Sequence, residues 1–169
     1  GIKSEYIGEK YQDSKGRYWF AANDGLYLLE GDQITFYEND HGLPEYDFTC
    51  LLEDSRGVLW FGSSGEGLFR FDENTLINYK KKDGLLDGFI HSIAEGPYGD
   101  IWIGMDRGVN KFDGKTFKTF SKSSGLNQDV ITIVSDTLNR KLWFGTLNGL
   151  GVIPFEQIPE ENIKLKTYN

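Results

Sequence analysis

An all-β fold of four repeated units is what this 169-residue sequence predicts, and three observations predict it. Four tryptophans, Trp19, Trp60, Trp102 and Trp143, stand 41, 42 and 41 residues apart. Their flanks repeat with them: a turn sequence precedes each one, and a Gly-Leu or Gly-Val pair follows (Gly25-Leu26, Gly67-Leu68, Gly108-Val109, Gly149-Leu150). Apolar residues fall in short β-rich runs and nowhere keep helical spacing over about ten residues. A period of ~40–45 residues holding four short strands is the signature of a β-propeller blade.

The second copy shows the elements in order. Phe48–Glu53 is the first strand, A, and ends at the turn Asp54-Ser55-Arg56-Gly57, where Gly57 can take a positive φ. Strand B is expected over Val58–Gly62, strand C over Leu68–Phe71 and strand D over Leu76–Tyr79. Copy one repeats the A–B turn as Asp13-Ser14-Lys15-Gly16; copy three has Gly96 in place of the turn Asp, and copy four carries one extra residue between Asp136 and Trp143. A Gly-Leu or Gly-Ile opener starts each unit, at Gly1, Gly42, Gly84 and Gly125, which divides the chain into repeats 1–41, 42–83, 84–124 and 125–169. The fourth repeat gains about seven residues between strands C and D, around Pro154–Pro159. A blade cannot bury either face alone, so the repeated Trp reads as packing between blades.

Composition narrows the function. With 18 Lys+Arg against 26 Asp+Glu the net charge is −8, which disfavours nucleic acid, since that binding runs on neutralised phosphates. No run approaches the ~18 apolar residues of a membrane helix, so no direct membrane insertion of this segment is expected. Cys50 is the single cysteine and His41 and His91 the only histidines, which leaves no cysteine-based metal site and no Ser-His-Asp set. No metal, no cofactor and no catalytic residue is expected. The Gly-rich stretch Gly62–Gly67 leads into a strand and lacks Lys, unlike a phosphate-binding loop. The carboxylate pair Glu53-Asp54 points to opposite faces of a strand, as adjacent strand residues do, so it does not form a glycosidase pair. Lys80-Lys81-Lys82 reads as a solvated guard of a sheet edge.

The unit Asp-Ser-Lys/Arg-Gly-x-x-Trp-Phe-Gly followed by Gly-Leu, with its Gly-Leu opener, resembles the two-component regulator propeller repeat. Asp54–Leu68 follows the pattern almost in full; copy one departs from it at Phe20-Ala21-Ala22. The resemblance implies the periplasmic sensor region of a bacterial hybrid histidine kinase, many relatives of which respond to oligosaccharides. It therefore implies a non-catalytic, extracytoplasmic segment of a membrane-anchored sensor. The alternative is a scaffold that binds a protein partner or assembles with itself.

Propeller geometry puts the D–A and B–C connections on one face, around the mouth of the channel. Ligand-binding candidates for a carbohydrate or other small polar ligand are therefore Tyr46, Phe89 and Asn127 from the D–A loops, and His91 at the start of an inner strand. From the B–C turns come Asn23, Asp24, Ser64, Glu66, Asp106, Arg107 and Asn148. These positions differ between copies while the A–B turns are nearly uniform. The last strand, Lys166-Thr167-Tyr168, matches Lys118-Thr119-Phe120, so the four units are cut in phase. Related rings need about seven blades, so four blades are expected to form an open arc. Such an arc is completed by remaining blades or by a second copy in a homodimer, as an eight-bladed ring; the other solution is a strained four-bladed ring.

Overall fold

A computed structural model of the chain describes residues 3–37, 47–72, 75–121, 124, 126, 129–158 and 166–168. Among the described residues, sixteen strands form four antiparallel sheets of four. The first holds β1 (Ile7–Gln12), β2 (Tyr18–Ala22), β3 (Gly25–Glu30) and β4 (Gln33–Tyr37). The second holds β5 (Phe48–Glu53), β6 (Leu59–Ser63), β7 (Leu68–Phe71) and β8 (Leu76–Tyr79). The third holds β9 (Ile90–Glu95), β10 (Ile101–Met105), β11 (Gly108–Phe112) and β12 (Phe117–Phe120). The fourth holds β13 (Val130–Asp136), β14 (Lys141–Thr146), β15 (Gly149–Pro154) and β16 (Lys166–Tyr168). Each sheet is a meander in chain order and so comes from one contiguous stretch. Strand β6 lies one residue later than the turn sequence predicts, because Val58 serves the turn, its carbonyl accepting from the Asp54 N–H. The expected insertion in blade four contains a 3-10 turn, Phe155–Gln157, with Phe155 and Ile158 buried; residues 159–165 lie outside the described residues.

The A–B turns explain the Asp and the Trp together. In blade two, Asp54 Oδ1 accepts the N–H groups of Arg56 and Val58 at 3.0 Å each, and its Oδ2 accepts the Trp60 indole N–H at 3.0 Å. Blade one repeats this with Asp13, whose Oδ2 accepts the Trp19 indole N–H at 2.9 Å. Both carboxylates are buried, yet their turn donors and arginine partners satisfy them. In blade three the acceptor moves: Asp100, four residues later in the turn, takes the Trp102 indole N–H. Gly96 has to accompany that change, because a Cβ there would meet Trp102 Nε1 and the Asp100 carboxylate within 3 Å.

Each buried Trp then packs on the next blade. Trp19 meets Phe61 and Phe71 at ring-centroid distances of 6.0 and 6.2 Å, Trp60 meets Phe112 at 5.8 Å, and Trp102 meets Phe144 at 5.7 Å. The three clusters of buried side chains are therefore the three junctions between blades. Burying an aromatic of this size contributes on the order of 2–3 kcal/mol. A second link crosses two junctions at the A–B turns: the Ser14 N–H and hydroxyl both donate to Glu53, at 2.6 and 2.7 Å, and those of Ser55 both donate to Glu95, at 2.8 and 2.6 Å. The sequence pair Glu53-Asp54 is thus divided between two tasks, one carboxylate gripping the neighbouring blade and the other bracing its own turn.

The inner strands pack in succession, β1 on β5, β5 on β9 and β9 on β13; among the described residues β13 does not pack on β1 to a comparable extent. The A strands consequently line the concave side. The glycine two residues after the repeated Trp makes this approach possible at Gly104, where a Cβ would collide with the Val130 carbonyl of the next inner strand and with Ser92 Oγ. The B–C glycine has a similar purpose at Gly67: its φ is +94°, and a Cβ would strike the Tyr79 carbonyl.

Two outcomes follow for stability. Trp60→Phe keeps most of the packing but removes one donor from buried Asp54, and should lower the unfolding free energy by about 1–3 kcal/mol in urea titration. Burial disfavours the Asp13 and Asp54 carboxylates, but the indole, turn N–H and arginine donors outweigh it and hold both below the ordinary value of 3.8. Their stabilisation is therefore complete above about pH 4 and is lost as pH falls through the lowered folded-state values. Asp54→Asn should flatten that acid limb in melts recorded between pH 2 and 5.

Candidate functional site

B–C turns and D–A loops meet on one side of the molecule. Ser64 bridges to Phe89, the Ser64 N–H donates to the Asp47 carbonyl at 2.9 Å, and the Gly65 and Gly67 N–H groups donate to the Gly88 carbonyl at 3.1 and 3.2 Å. The A–B turns, with their Asp–Trp and Ser–Glu bonds, occupy the other side.

On the loop side, blade three concentrates polar chemistry. The Arg107 backbone stands in the left-handed region, φ 66°, a conformation uncommon for a residue with a branched polar chain to place. Two carboxylates hold it there: its N–H donates to Asp129 Oδ1 and its guanidinium to Asp87 Oδ2, both at 3.1 Å. The Arg107 side chain remains 75% exposed, and one bond to Asp87 leaves other guanidinium donors available. Asp87 is buried, and its carboxylate also receives Lys81 at 3.3 Å and its own following amide, Gly88, at 2.7 Å. Desolvation opposes its ionisation, but the Gly88, Arg107 and Lys81 donors win and hold the group below the usual carboxylate range. Beside it His91 Nε2 lies 2.7 Å from Asp106 Oδ1, with both side chains partly exposed. Phe89 leaves 47% of its surface in solvent at the same loop.

His91 owes its position to backbone geometry. The A–B pairing of every blade slips by one residue at the same place, between Ile7 and Glu9, Phe48 and Cys50, Ile90 and Ser92, and Val130 and Thr132. The extra residues of these four bulges are Gly8, Thr49, His91 and Ile131, all on the inner strands. A bulge re-aims one side chain out of the alternation of its strand. Thr49 uses this to donate from Oγ1 to the Ile90 carbonyl of the next blade at 2.5 Å, while Ile131 stays 42% exposed.

The structure separates the remaining candidates. His91 pairs with Asp106, and Arg107 with Asp87 and Asp129, at the blade-three loops, whereas Phe89 bridges to Ser64 and lies against Gly65 of the blade-two turn. Asp24 instead accepts from Tyr27 Oη at 2.7 Å, and Asn23 accepts from the Ser4 hydroxyl at 2.5 Å, so both brace the start of blade one. Glu66 is paired with Lys80 at 2.6 Å. Together with Gly88 and Lys82 these residues line a cavity of about 300 Å³ above blade two. Lys80 and Lys81 therefore belong to the loop side through Glu66 and Asp87, and Lys81–Asp83 forms a 3-10 turn; the expected edge guard is corrected by these bonds. Asn148 is exposed on the blade-four turn, its N–H donating to Thr146 Oγ1. Tyr46 and Asn127 lie outside the described residues. Sequence reasoning missed the bulge ring, although a signal was present: Gly8, Thr49 and His91 each stand eleven residues before their tryptophan.

Four meandering, face-packed sheets with inner A strands define a β-propeller architecture. The model of the two-component regulator propeller family matches residues 42–65 and 84–107. No protein of curated function matches the sequence. Among solved structures, the extracellular domain assigned to the hybrid two component system BT3049 of B. thetaiotaomicron is similar at 23% identity and a TM-score of 0.77, over 99% of this chain and 23% of that one. The extracellular domain assigned to the one component system BT4673 of the same organism is similar at 18% identity and a TM-score of 0.61, over 96% of this chain and 31% of that one. Virginiamycin B lyase from Staphylococcus aureus is similar at 21% identity and a TM-score of 0.75, over 96% of this chain and 55% of that one. The chain thus spans about a quarter to a half of the proteins it resembles.

The strained turn gives a clean test of how Arg107 is held. Arg107→Gly relieves the left-handed backbone and Arg107→Ala keeps the strain, so the Gly variant should be the more stable by about 1 kcal/mol in chemical denaturation. Equal midpoints would show that Arg107 is not held in that conformation in solution.

Proposed function

We propose that this chain is a non-catalytic sensing segment of a bacterial two-component regulator, acting outside the cytoplasm and binding a small polar ligand, an oligosaccharide in the first instance. The observation that carries this reading is the set of polar groups at the blade-three loops: the exposed Arg107 side chain held by Asp87 and Asp129, the His91–Asp106 pair, and in the same D–A loop as Asp87 the half-exposed Phe89. Sugars present hydroxyl pairs and apolar ring faces, which planar donors, carboxylates and an aromatic surface recognise together. The matched family and the extracellular domains that share the fold support the placement in a regulator. Among the described residues no helix is long and apolar enough to cross a membrane, which agrees with a segment held outside it.

The same fold serves a lyase, so turnover has to be tested along with binding. Calorimetric titration against a panel of neutral and acidic oligosaccharides should find a binder whose affinity Arg107→Gly reduces at least about tenfold, equivalent to ~1.4 kcal/mol. The recovered sugar should be chemically unchanged after prolonged incubation. Cleavage that Asp106→Asn or His91→Gln abolishes would instead establish an enzyme, and a binder indifferent to Arg107 would place the site elsewhere.

A further inference from the structure

Two features of blade two that the repeat does not require meet in one place. Gly67 stands seven residues after Trp60, whereas Gly25, Gly108 and Gly149 stand six after their tryptophans, so the B–C turn of blade two is one residue longer. After its last strand the same blade carries Lys80-Lys81-Lys82, where copy one has Glu38-Asn39-Asp40 and copy three Ser121-Lys122-Ser123. The lengthened turn and the lysine run wall the cavity of about 300 Å³, and Gly88 completes its lining. Blades one and three flank blade two, so this cavity lies between described sheets and not at an end of the chain.

Backbone contacts frame it. The Gly65 and Gly67 N–H groups both donate to the Gly88 carbonyl, and the two loops approach so closely that a Cβ on Gly88 would strike the Gly65 carbonyl. The half-exposed ring of Phe89 lies against Gly65. Asp87 joins the cavity to the blade-three loops, its Oδ1 receiving Lys81 at 3.3 Å and its Oδ2 Arg107 at 3.1 Å.

Charge decides what the cavity takes. Its lining carries three ammonium groups, Lys80, Lys81 and Lys82, against one carboxylate, Glu66, in a chain whose net charge is −8. The Glu66–Lys80 pair leaves 38 and 44% of those side chains exposed, a setting in which an ion pair contributes little. Lys82 is exposed, and its ammonium makes no ion pair among the described residues. We propose that this cavity is the subsite for an anionic group, a carboxylate or a sulfate, and that the ligand is therefore an acidic glycan. The inference rests on the sensor reading and names the class of its ligand. Phe89 supplies an apolar face for the sugar that carries the charge, and Arg107 supplies donors for its neighbour.

Calorimetric titration of the whole chain with matched pairs tests this: trigalacturonate against its methyl ester, and a sulfated galactan oligosaccharide against its desulfated form. In one pair at least, the charged form should bind at least about tenfold more tightly, and the pair that shows this separates carboxylate from sulfate. The advantage should shrink as salt rises from about 0.05 to 0.5 M. Lys82→Gln should cut it at least about threefold with the unfolding midpoint unchanged, and Glu66→Gln should enlarge it. Lys115→Gln, on the exposed C–D turn of blade three, should leave it alone. Equal affinity for charged and uncharged forms overturns the acidic-glycan inference and leaves the sensor reading standing. A charge preference indifferent to both Lys82 and Glu66 overturns the assignment to this cavity. Binding of no oligosaccharide in either form overturns both readings together.

Discussion

The bond from a tryptophan indole to a buried aspartate at the A–B turn organises this molecule. One carboxylate orders its own turn through two backbone amides and fixes the ring through the indole N–H. The fixed ring then presents an apolar plane to the next sheet. A local turn and a long-range junction are thus made by the same pair of side chains, which is why they recur together every 41 or 42 residues. Blade three shows that the bond rather than the residue position is what is kept: the carboxylate moves to Asp100, and Gly96 vacates the space it needs.

This arrangement has a direction. Trp19, Trp60 and Trp102 each face the blade that follows, and each Ser–Glu clasp hands two donors to the following A strand. Stacking with a direction leaves unlike ends. It also divides labour between the two sides of the propeller. The A–B side is occupied by bonds that hold blades together, so substitution there costs stability. The loop side carries bonds between blades as well, from Gly65 and Gly67 to Gly88 and from Arg107 to Asp129, but its turn sequences vary, and it is there that His91 pairs with Asp106 and Arg107 with Asp87.

Much of the fold was legible because its signals are local and repeated. The spacing of four tryptophans, the Asp-led turns and the B–C glycines specify sheet number and strand order and, in blade two, strand limits to within a residue. The division of Glu53 and Asp54 between two blades was not legible, because it depends on how neighbouring turns abut in space. The site was legible only as a set of turns. Nothing in the sequence around Asp87 announces that it anchors Arg107 twenty residues away, and the lysines beside it read as an edge guard until their partners, Glu66 and Asp87, are seen. The bulges lay between these extremes: His91 is set by strand slippage, which periodicity could have exposed but alternation of apolar residues conceals.

The central claim is that binding resides on the loop side of blade three, with the A–B side purely structural. Amide chemical-shift mapping during titration with a bound oligosaccharide tests it most directly. The account predicts that perturbations centre on Asp87, Phe89, His91, Asp106, Arg107 and Asp129, with the turns at Asp13, Asp54 and Asp136 unmoved. Perturbations centred instead on the groove on the far side, around Arg56, Arg70 and Tyr79, would contradict it.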